Sequence, residues 1–287
     1  MTHGITSRVT RLSFTALAEQ YEAVLFDAYG VLVNAGGALH GAAEALTWLT
    51  ARGQRFLIVT NDASRSPLRA ATRFARLGMP VREEHVVSSG MLIGPALVEH
   101  GLERGRVVVV GTGDSAQYAR DVGATVIEPQ HGDVADAIVI ADEGGFELLD
   151  VMDRVLSMIL AGCDAGRPPR LLLANPDLVY PSGDGRFGFT AGSLARMVDG
   201  ALALLLGDAA PTFEVLGKPA ARHFEAALAR VGTRDAVMLG DTLHTDVAGA
   251  QGVGIASAIV LTGVTTRAQV LGAGVHAPTY LLESLQL

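Results

Sequence analysis

Short runs of Val, Ile and Leu recur along the chain, each followed by a longer amphipathic stretch: AVLFD, RFLIVTN, RVVVVG, AIVIAD, RLLLAN, AVMLGD and SAIVLT. This alternation predicts strands joined by crossover helices, and therefore an α/β fold with largely parallel sheets. Most of the runs end in Asp, Asn, Thr or Gly. In an open α/β sheet ligands bind beyond the carboxyl ends of the strands, so residues with a chemical task collect there. No internal repeat, low-complexity tract or long linker interrupts the pattern. The stretch PSGDGRFG, residues 181–188, reads as the clearest loop of the second half.

A chain of 287 residues with 49% apolar content can bury one large core or two modest ones. A net charge of -8 and no basic cluster exclude a nucleic-acid surface, because nothing would neutralise a phosphate backbone. The expected partner is a small molecule. The single cysteine, Cys163, rules out an internal disulfide and allows a reducing compartment. Arg8 and Arg11 are followed by no apolar run long enough for a signal peptide or a membrane span, so a cytoplasmic location is expected.

Four sites at strand ends or turns combine into one chemistry. Asp27 stands in FDAYGVL, Thr60 with Asn61 in IVTNDASRS, Lys218 in LGKPA, and Asp241 with Asp246 in LGDTLHTD. A carboxylate, a hydroxyl, an ammonium and a distal pair of acids suit attack on phosphorus, where an anionic nucleophile must approach an anionic substrate. Lys218 would offset one charge, and Thr60 with nearby backbone N–H groups would bind phosphate oxygens. A hard divalent cation held by Asp27 and Asp241 would bridge the rest. Lys218 is the only lysine among 22 basic residues, so this position calls for a compact ammonium and not a planar fork. The structural alternative is an ordinary helix start, with Pro219 at the first helical position.

FDAYGVL, TNDASRS, GKP and GDTLHTD, in this order, resemble the four motifs of the haloacid dehalogenase-like hydrolase superfamily. The long segment between the second and third, with NPDLVYP and GFTAGSLARMVDGAL, resembles its class IIA subgroup, which includes nucleotide, sugar-phosphate, 4-nitrophenyl phosphate and pyridoxal phosphate phosphatases. The resemblance runs from about Tyr21 to the C-terminus. It implies a Rossmann-like core, residues 1–102 and 211–287, interrupted by an α/β cap at 103–210. It also implies Mg²⁺-dependent hydrolysis of a small phosphorylated metabolite, and caps that often mediate homodimers. Carried over by position, Asp27 becomes the nucleophile that forms an aspartyl-phosphate, Thr60 holds the transferred phosphoryl, and Lys218 orients both. Asp241 ligates Mg²⁺ directly, and Asp246 acts through a metal-bound water or by holding Lys218. Tyr29 supplies its backbone carbonyl to the metal, and Asn61 joins the substrate-binding set.

Tyr29 is also the departure. Phosphatases of this superfamily usually carry a second Asp there, which protonates the leaving alkoxide and later activates water. Such a residue contributes about 10²–10⁴-fold in rate. Phenol, with an ordinary pKa of ~10, is a poor substitute. Slow turnover or restriction to good leaving groups is therefore expected. DAY followed by Gly also begins the true haloacid dehalogenases, whose halide leaving group needs no proton, but those enzymes use no metal and have a helical cap. A dehalogenase and a catalytically impaired phospho-ligand binder stay open as alternatives.

In the cap segment Asn175 and Asp177 resemble a loop that closes over substrate, and equally build an Asx turn before Pro181. Gly111-x-Gly113-x-x-Ala116 with Glu128 downstream fits a dinucleotide fingerprint, or else a tight turn that needs glycine. Trp48 lies in the helical pattern GAAEALTWLTARG and reads as core or as a subunit contact. His85, His131, His223 and His276 show no metal spacing, and His244 only falls within the fourth motif. SFTALAEQ reads as a capped helix within an N-terminal segment, residues 1–20, that packs on the core edge.

Overall fold

Each of the seven apolar runs forms a strand. The structure is a computed structural model that describes residues 9–183 and 185–287; residues 1–8, Arg8 among them, and Asp184 lie outside the described residues. The first third of the chain forms β1 (Thr10–Arg11), β2 (Ala23–Phe26), a hairpin of β3 (Val33–Asn34) and β4 (Gly37–Ala38), β5 (Arg55–Thr60) and β6 (Val86–Ser88). The middle forms β7 (Arg106–Val110), β8 (Thr125–Val126), β9 (Ala137–Ile140), β10 (Arg170–Leu173), β11 (Val179–Gly183), β12 (Arg186–Phe189) and β13 (Glu214–Val215). The last third forms β14 (Ala236–Gly240), β15 (Ala256–Val260) and β16 (Tyr280–Leu282).

Two parallel sheets result. The larger has the order β1-β16-β15-β14-β2-β5-β6, drawn from both ends of the chain, and the smaller β13-β10-β9-β7-β8, drawn from its middle. Every pairing in both is parallel, with Leu25 level with Leu57 on one side and Met238 on the other. Parallel strands are covered by helices on both faces, which explains the unbroken apolar runs in place of an alternation. β2 and β14 are accordingly buried along their whole length. Successive side chains still go to opposite faces: Val24, Phe26, Val237 and Leu239 enter one core layer, Leu25, Leu57 and Met238 the other.

The helices follow local signals. Ser66 caps Pro67–Arg76 by accepting from Arg69 N, with proline in the first turn. Ser13 caps Phe14–Ala18, the helix expected in SFTALAEQ. Trp48, in the helix Ala42–Ala51, meets Phe14 edge-on at 6.0 Å and packs against the core of the larger sheet. One expectation is corrected: PSGDGRFG is not a loop but most of an antiparallel hairpin, in which β11 pairs with β12. Its Pro, Ser and Gly mask the strands because a register shift between Pro181 and Gly183 absorbs the irregular residues. Among the described residues no helix is long and apolar enough to cross a membrane.

The topology places the carboxyl ends of β14, β2 and β5 side by side at the middle of the larger sheet. Residues following β9 and β10 of the smaller sheet line the same cavity of about 480 Å³ as residues at these ends.

Candidate active site

Asp27 follows β2 directly and is fixed by its own backbone, Asp27 N donating to Leu239 O at 2.8 Å. Its carboxylate Oδ1 accepts from Ala28 N at 2.7 Å and meets Lys218 Nζ at 2.8 Å. Burial, together with the negative charges of Asp246 and Asp241, raises its pKa well above the carboxylate range, and Lys218 offsets only part of this. Lys218 is fully buried and shared, with Asp246 Oδ1 at 2.7 Å. Burial alone would lower the pKa of the ammonium, but Asp246, Asp27 and Asp177 outweigh it and raise it. Lys218 is therefore a fixed positive charge. Its main chain is clamped by Asn61, whose Oδ1 accepts from Lys218 N at 2.8 Å and whose Nδ2 donates to Lys218 O at 3.1 Å.

Asp241 follows β14, and Asp246 lies one helical turn on, in Leu243–Val247. Asp246 has both oxygens engaged: Oδ1 with Lys218, Oδ2 with the amides of Asp241 and Thr242 at 3.1 Å each. Asp241 Oδ2 accepts from Val264 N and Oδ1 from Thr242 Oγ1, both at 2.8 Å. Two glycines make room for it. A Cβ on Gly30 would lie 2.1 Å from Asp241 Oδ2, and one on Gly263 2.0 Å. Burial and the charge of Asp246 raise the Asp241 pKa to about 6. Asp27, Asp241 and Asp246 each present an oxygen within 4.8 Å of the others. Three carboxylates gathered so closely, with one lysine between them, fit a hard divalent cation of the Mg²⁺ or Ca²⁺ type.

Thr60 ends β5 and lines the cavity, its Oγ1 accepting from Asp62 N at 3.2 Å. Asn175 and Asp177 line the same cavity, Asp177 within hydrogen-bonding reach of the Asn61 side chain. They do build the Asx turn, Asp177 N donating to Asn175 Oδ1 at 3.0 Å, so the turn and the cavity wall are one structure. The turn is pinned further by Gly192 N donating to Asp177 O at 3.1 Å, a bond that Thr190 Oγ1 shares. Burial raises the Asp177 pKa to about 6. Tyr29 also lines the cavity, its ring edge-on to Tyr180 of β11 at 6.2 Å. The guanidinium of Arg73 lies 5.2 Å from the Tyr29 ring centroid.

Several lining residues were not singled out by the motifs. Arg65 donates to Asp62 Oδ2 at 2.5 Å; both belong to the TNDASRS stretch, the one signal available for them. Arg73 belongs to a helix with a regular amphipathic pattern and carries no such signal. Glu143, whose Oε2 is buried with no hydrogen-bond partner among the described residues, has its pKa raised to about 7 by burial and then by Asp142. His244 lines the cavity as well. His223 does not: its Nδ1 accepts from Lys218 N at 3.2 Å and its Nε2 donates to Val87 O at 3.1 Å. Burial pushes its pKa down to about 3, so it stays neutral and structural.

The glycine fingerprint is occupied by packing. Thr112 caps the helix Gly113–Arg120 in a reciprocal pair with Ser115, and the side chains of both donate to the loop after β5: Thr112 Oγ1 to Ser64 O at 2.7 Å, Ser115 Oγ to Ala63 O at 2.9 Å. A Cβ on Gly111 would lie 3.0 Å from Ser115 Oγ and 3.2 Å from Asp142 N. A tight strand-to-helix turn explains Gly111, whereas a Cβ on Gly113 would meet nothing within 4 Å.

Comparison with known proteins agrees with this geometry. A family model described as haloacid dehalogenase-like hydrolase matches residues 24–125, and a second, HAD-hydrolase-like model matches residues 215–287. Human chronophin is 31% identical over 299 residues, covering 97% of each chain. The crystal structure of a possible sugar phosphatase from Cytophaga hutchinsonii superposes with a TM-score of 0.82 at 28% identity, covering 98% of this chain and 99% of that one. Glycerol phosphate phosphatase from Mycobacterium tuberculosis, in complex with magnesium, superposes with a TM-score of 0.77 at 29% identity, covering 93% and 77%. Matched along nearly its whole length in sequence and in fold, the chain belongs to the haloacid dehalogenase-like hydrolases, in their class IIA subgroup.

Proposed function

We propose that the protein is a Mg²⁺-dependent phosphatase that cleaves a small phosphorylated metabolite through an aspartyl-phosphate on Asp27. The carrying observation is the Asp27 carboxylate at the cavity, held through Oδ1 by Lys218 Nζ and Ala28 N. The similarity to phosphatases, one of them in complex with magnesium, supports the same reading. In this reading residues 1–102 and 211–287 form the core and 103–210 the cap. β13 carries the smaller sheet past residue 210, to Val215.

In the first step an Asp27 oxygen attacks phosphorus and the bond to the leaving oxygen breaks. In the second, water attacks the same phosphorus, which releases phosphate and restores the carboxylate. Lys218 orients Asp27 and offsets charge, and Thr60 with the Asn61 main-chain N–H binds phosphate oxygens. Asp27, Asp241 and the Tyr29 carbonyl would hold Mg²⁺, which supplies positive charge against the phosphoryl oxygens. Asp246, with both oxygens engaged by the protein, serves by holding Lys218 and the turn at Asp241. Asn175 and Asp177 face the substrate from the cap. With Tyr29 in place of an acid, good leaving groups are favoured. A halide displacement of the dehalogenase kind needs no metal, so three carboxylates that fit a divalent cation support phosphoryl transfer over it.

The test is phosphate release from 4-nitrophenyl phosphate with and without Mg²⁺. Wild type should turn over steadily only with Mg²⁺, and Asp27→Asn should lose activity by several orders of magnitude. Wild type that forms a stable phospho-aspartate from acetyl phosphate without turnover would instead be the impaired binder.

A further inference from the structure

Three cations stand at or beneath the cavity, and two are already matched. Lys218 is shared by Asp27 and Asp246, and Arg65 is paired with Asp62. Arg73 differs: it lines the cavity, half-buried, and forms no ion pair among the described residues. Its contact is the face of the Tyr29 ring. A guanidinium over an aromatic ring is oriented by the ring's quadrupole, but it keeps its charge and its planar fork of donors. Tyr29 lies two residues after Asp27, so Arg73 stands beside the turn that carries the nucleophile, and the same ring meets Tyr180 of β11 edge-on.

We propose that Arg73, supported by Tyr29, is a subsite for a carboxylate on the leaving group, so that the substrates are phosphomonoesters of small hydroxy acids. This rests on the phosphatase reading above and deepens it. One unmatched guanidinium balances one charge, and its fork fits the two oxygens of a carboxylate. A second phosphate, with up to two charges, would leave charge unmatched here. The position of Tyr29 also acquires a purpose: an Asp there would place a carboxylate beside Arg73 and compete with the substrate for it, whereas a ring supports the cation and leaves its charge available.

A matched pair of substrates tests this: 3-phosphoglycerate and glycerol 3-phosphate share a three-carbon skeleton, and only the first has a carboxylate. Wild type with Mg²⁺ should favour 3-phosphoglycerate in kcat/KM by about tenfold or more, a charge-assisted bidentate contact. Arg73→Gln should bring the ratio near one, mainly through KM, and Arg73→Lys should restore part of it. The ratio cancels any general loss of folding or activity. Tyr29→Leu should weaken the preference more than Tyr29→Phe, which keeps the ring. A wild-type ratio near one, or a preference that survives Arg73→Gln, overturns the subsite. Calorimetric binding of the same two compounds needs no turnover: if the protein hydrolyses neither them nor 4-nitrophenyl phosphate, the phosphatase reading fails, while a carboxylate preference in binding that Arg73→Gln removes still upholds the subsite, and equal affinities overturn it.

Discussion

Asp241 shows how a backbone without side chains can decide a site. Its Oδ2 occupies space that a Cβ at Gly30 or Gly263 would fill, and Gly30 also has a φ of +79° that other residues rarely adopt. Gly263 isolates the steric part, since its φ lies outside the left-handed range. Gly263→Ala should push Asp241 off Val264 N and out of the acidic trio. A displacement near 1 Å at a reacting centre can cost on the order of 10²-fold in rate. Mg²⁺-dependent hydrolysis of 4-nitrophenyl phosphate should fall by about that much, with weaker Mg²⁺ binding by calorimetry and a far-ultraviolet spectrum unchanged from wild type. Unaltered Mg²⁺ affinity in Gly263→Ala would mean that the glycine does not cradle Asp241. Asp27, Thr60, Lys218 and Asp241 were legible because each interrupts an apolar run or a turn with a chemically unusual residue, and Lys218 because the chain otherwise uses arginine. Arg73 was not, being one of 21 arginines and sitting on a helix whose pattern it satisfies.

The parallel strands that carry the site were legible for a related reason. β2, β5, β7, β9, β10, β14 and β15 are buried on both faces, so each is a continuous apolar run bounded by polar or small residues. β1, β8 and β13 have two residues each, and β6 and β16 three, too few for any periodicity to register. The turn after β7 was legible as a glycine turn but not as to its partner, because the loop after β5 that it holds is more than 40 residues earlier in the chain. That turn ties the smaller sheet to the loop that begins with Asn61. Thr112→Val removes both the helix cap and the donor to Ser64 O. A lost cap costs about 1 kcal/mol, and a carbonyl left without its partner adds roughly as much. Urea unfolding should therefore show a loss of about 1–2 kcal/mol, and hydrogen exchange should rise in residues 61–66. A variant as stable as wild type would show that water replaces the hydroxyl at no cost.

For the molecule as a whole, the charges at the site set up a conflict that the cation resolves. In the metal-free protein Asp241 has its pKa raised from an ordinary 3.8 to about 6, through burial and then the charge of Asp246. The unfolded chain gives up that proton first, so the group's contribution to stability is full below about 3.8 and is lost as pH rises through about 6. His223 runs the other way: with its pKa depressed to about 3, stability falls as pH drops below its ordinary 6.5. A cation bound among Asp27, Asp241 and Asp246 relieves the carboxylate repulsion without touching His223. The difference in melting temperature with and without Mg²⁺ therefore isolates the site, since the histidine contributes equally to both. At pH 8 and a hundredfold excess over Kd, binding adds about 2.7 kcal/mol. For a chain of 287 residues that is roughly 4–5 °C. The gap should close towards pH 5, where protons compete with the cation for the carboxylates. Asp241→Asn should remove the gap at every pH and, by deleting one of three repelling charges, raise the melting temperature of the metal-free protein at pH 8. A gap of equal size at pH 8 and pH 5, or one that persists in Asp241→Asn, would place the cation somewhere other than among these three carboxylates.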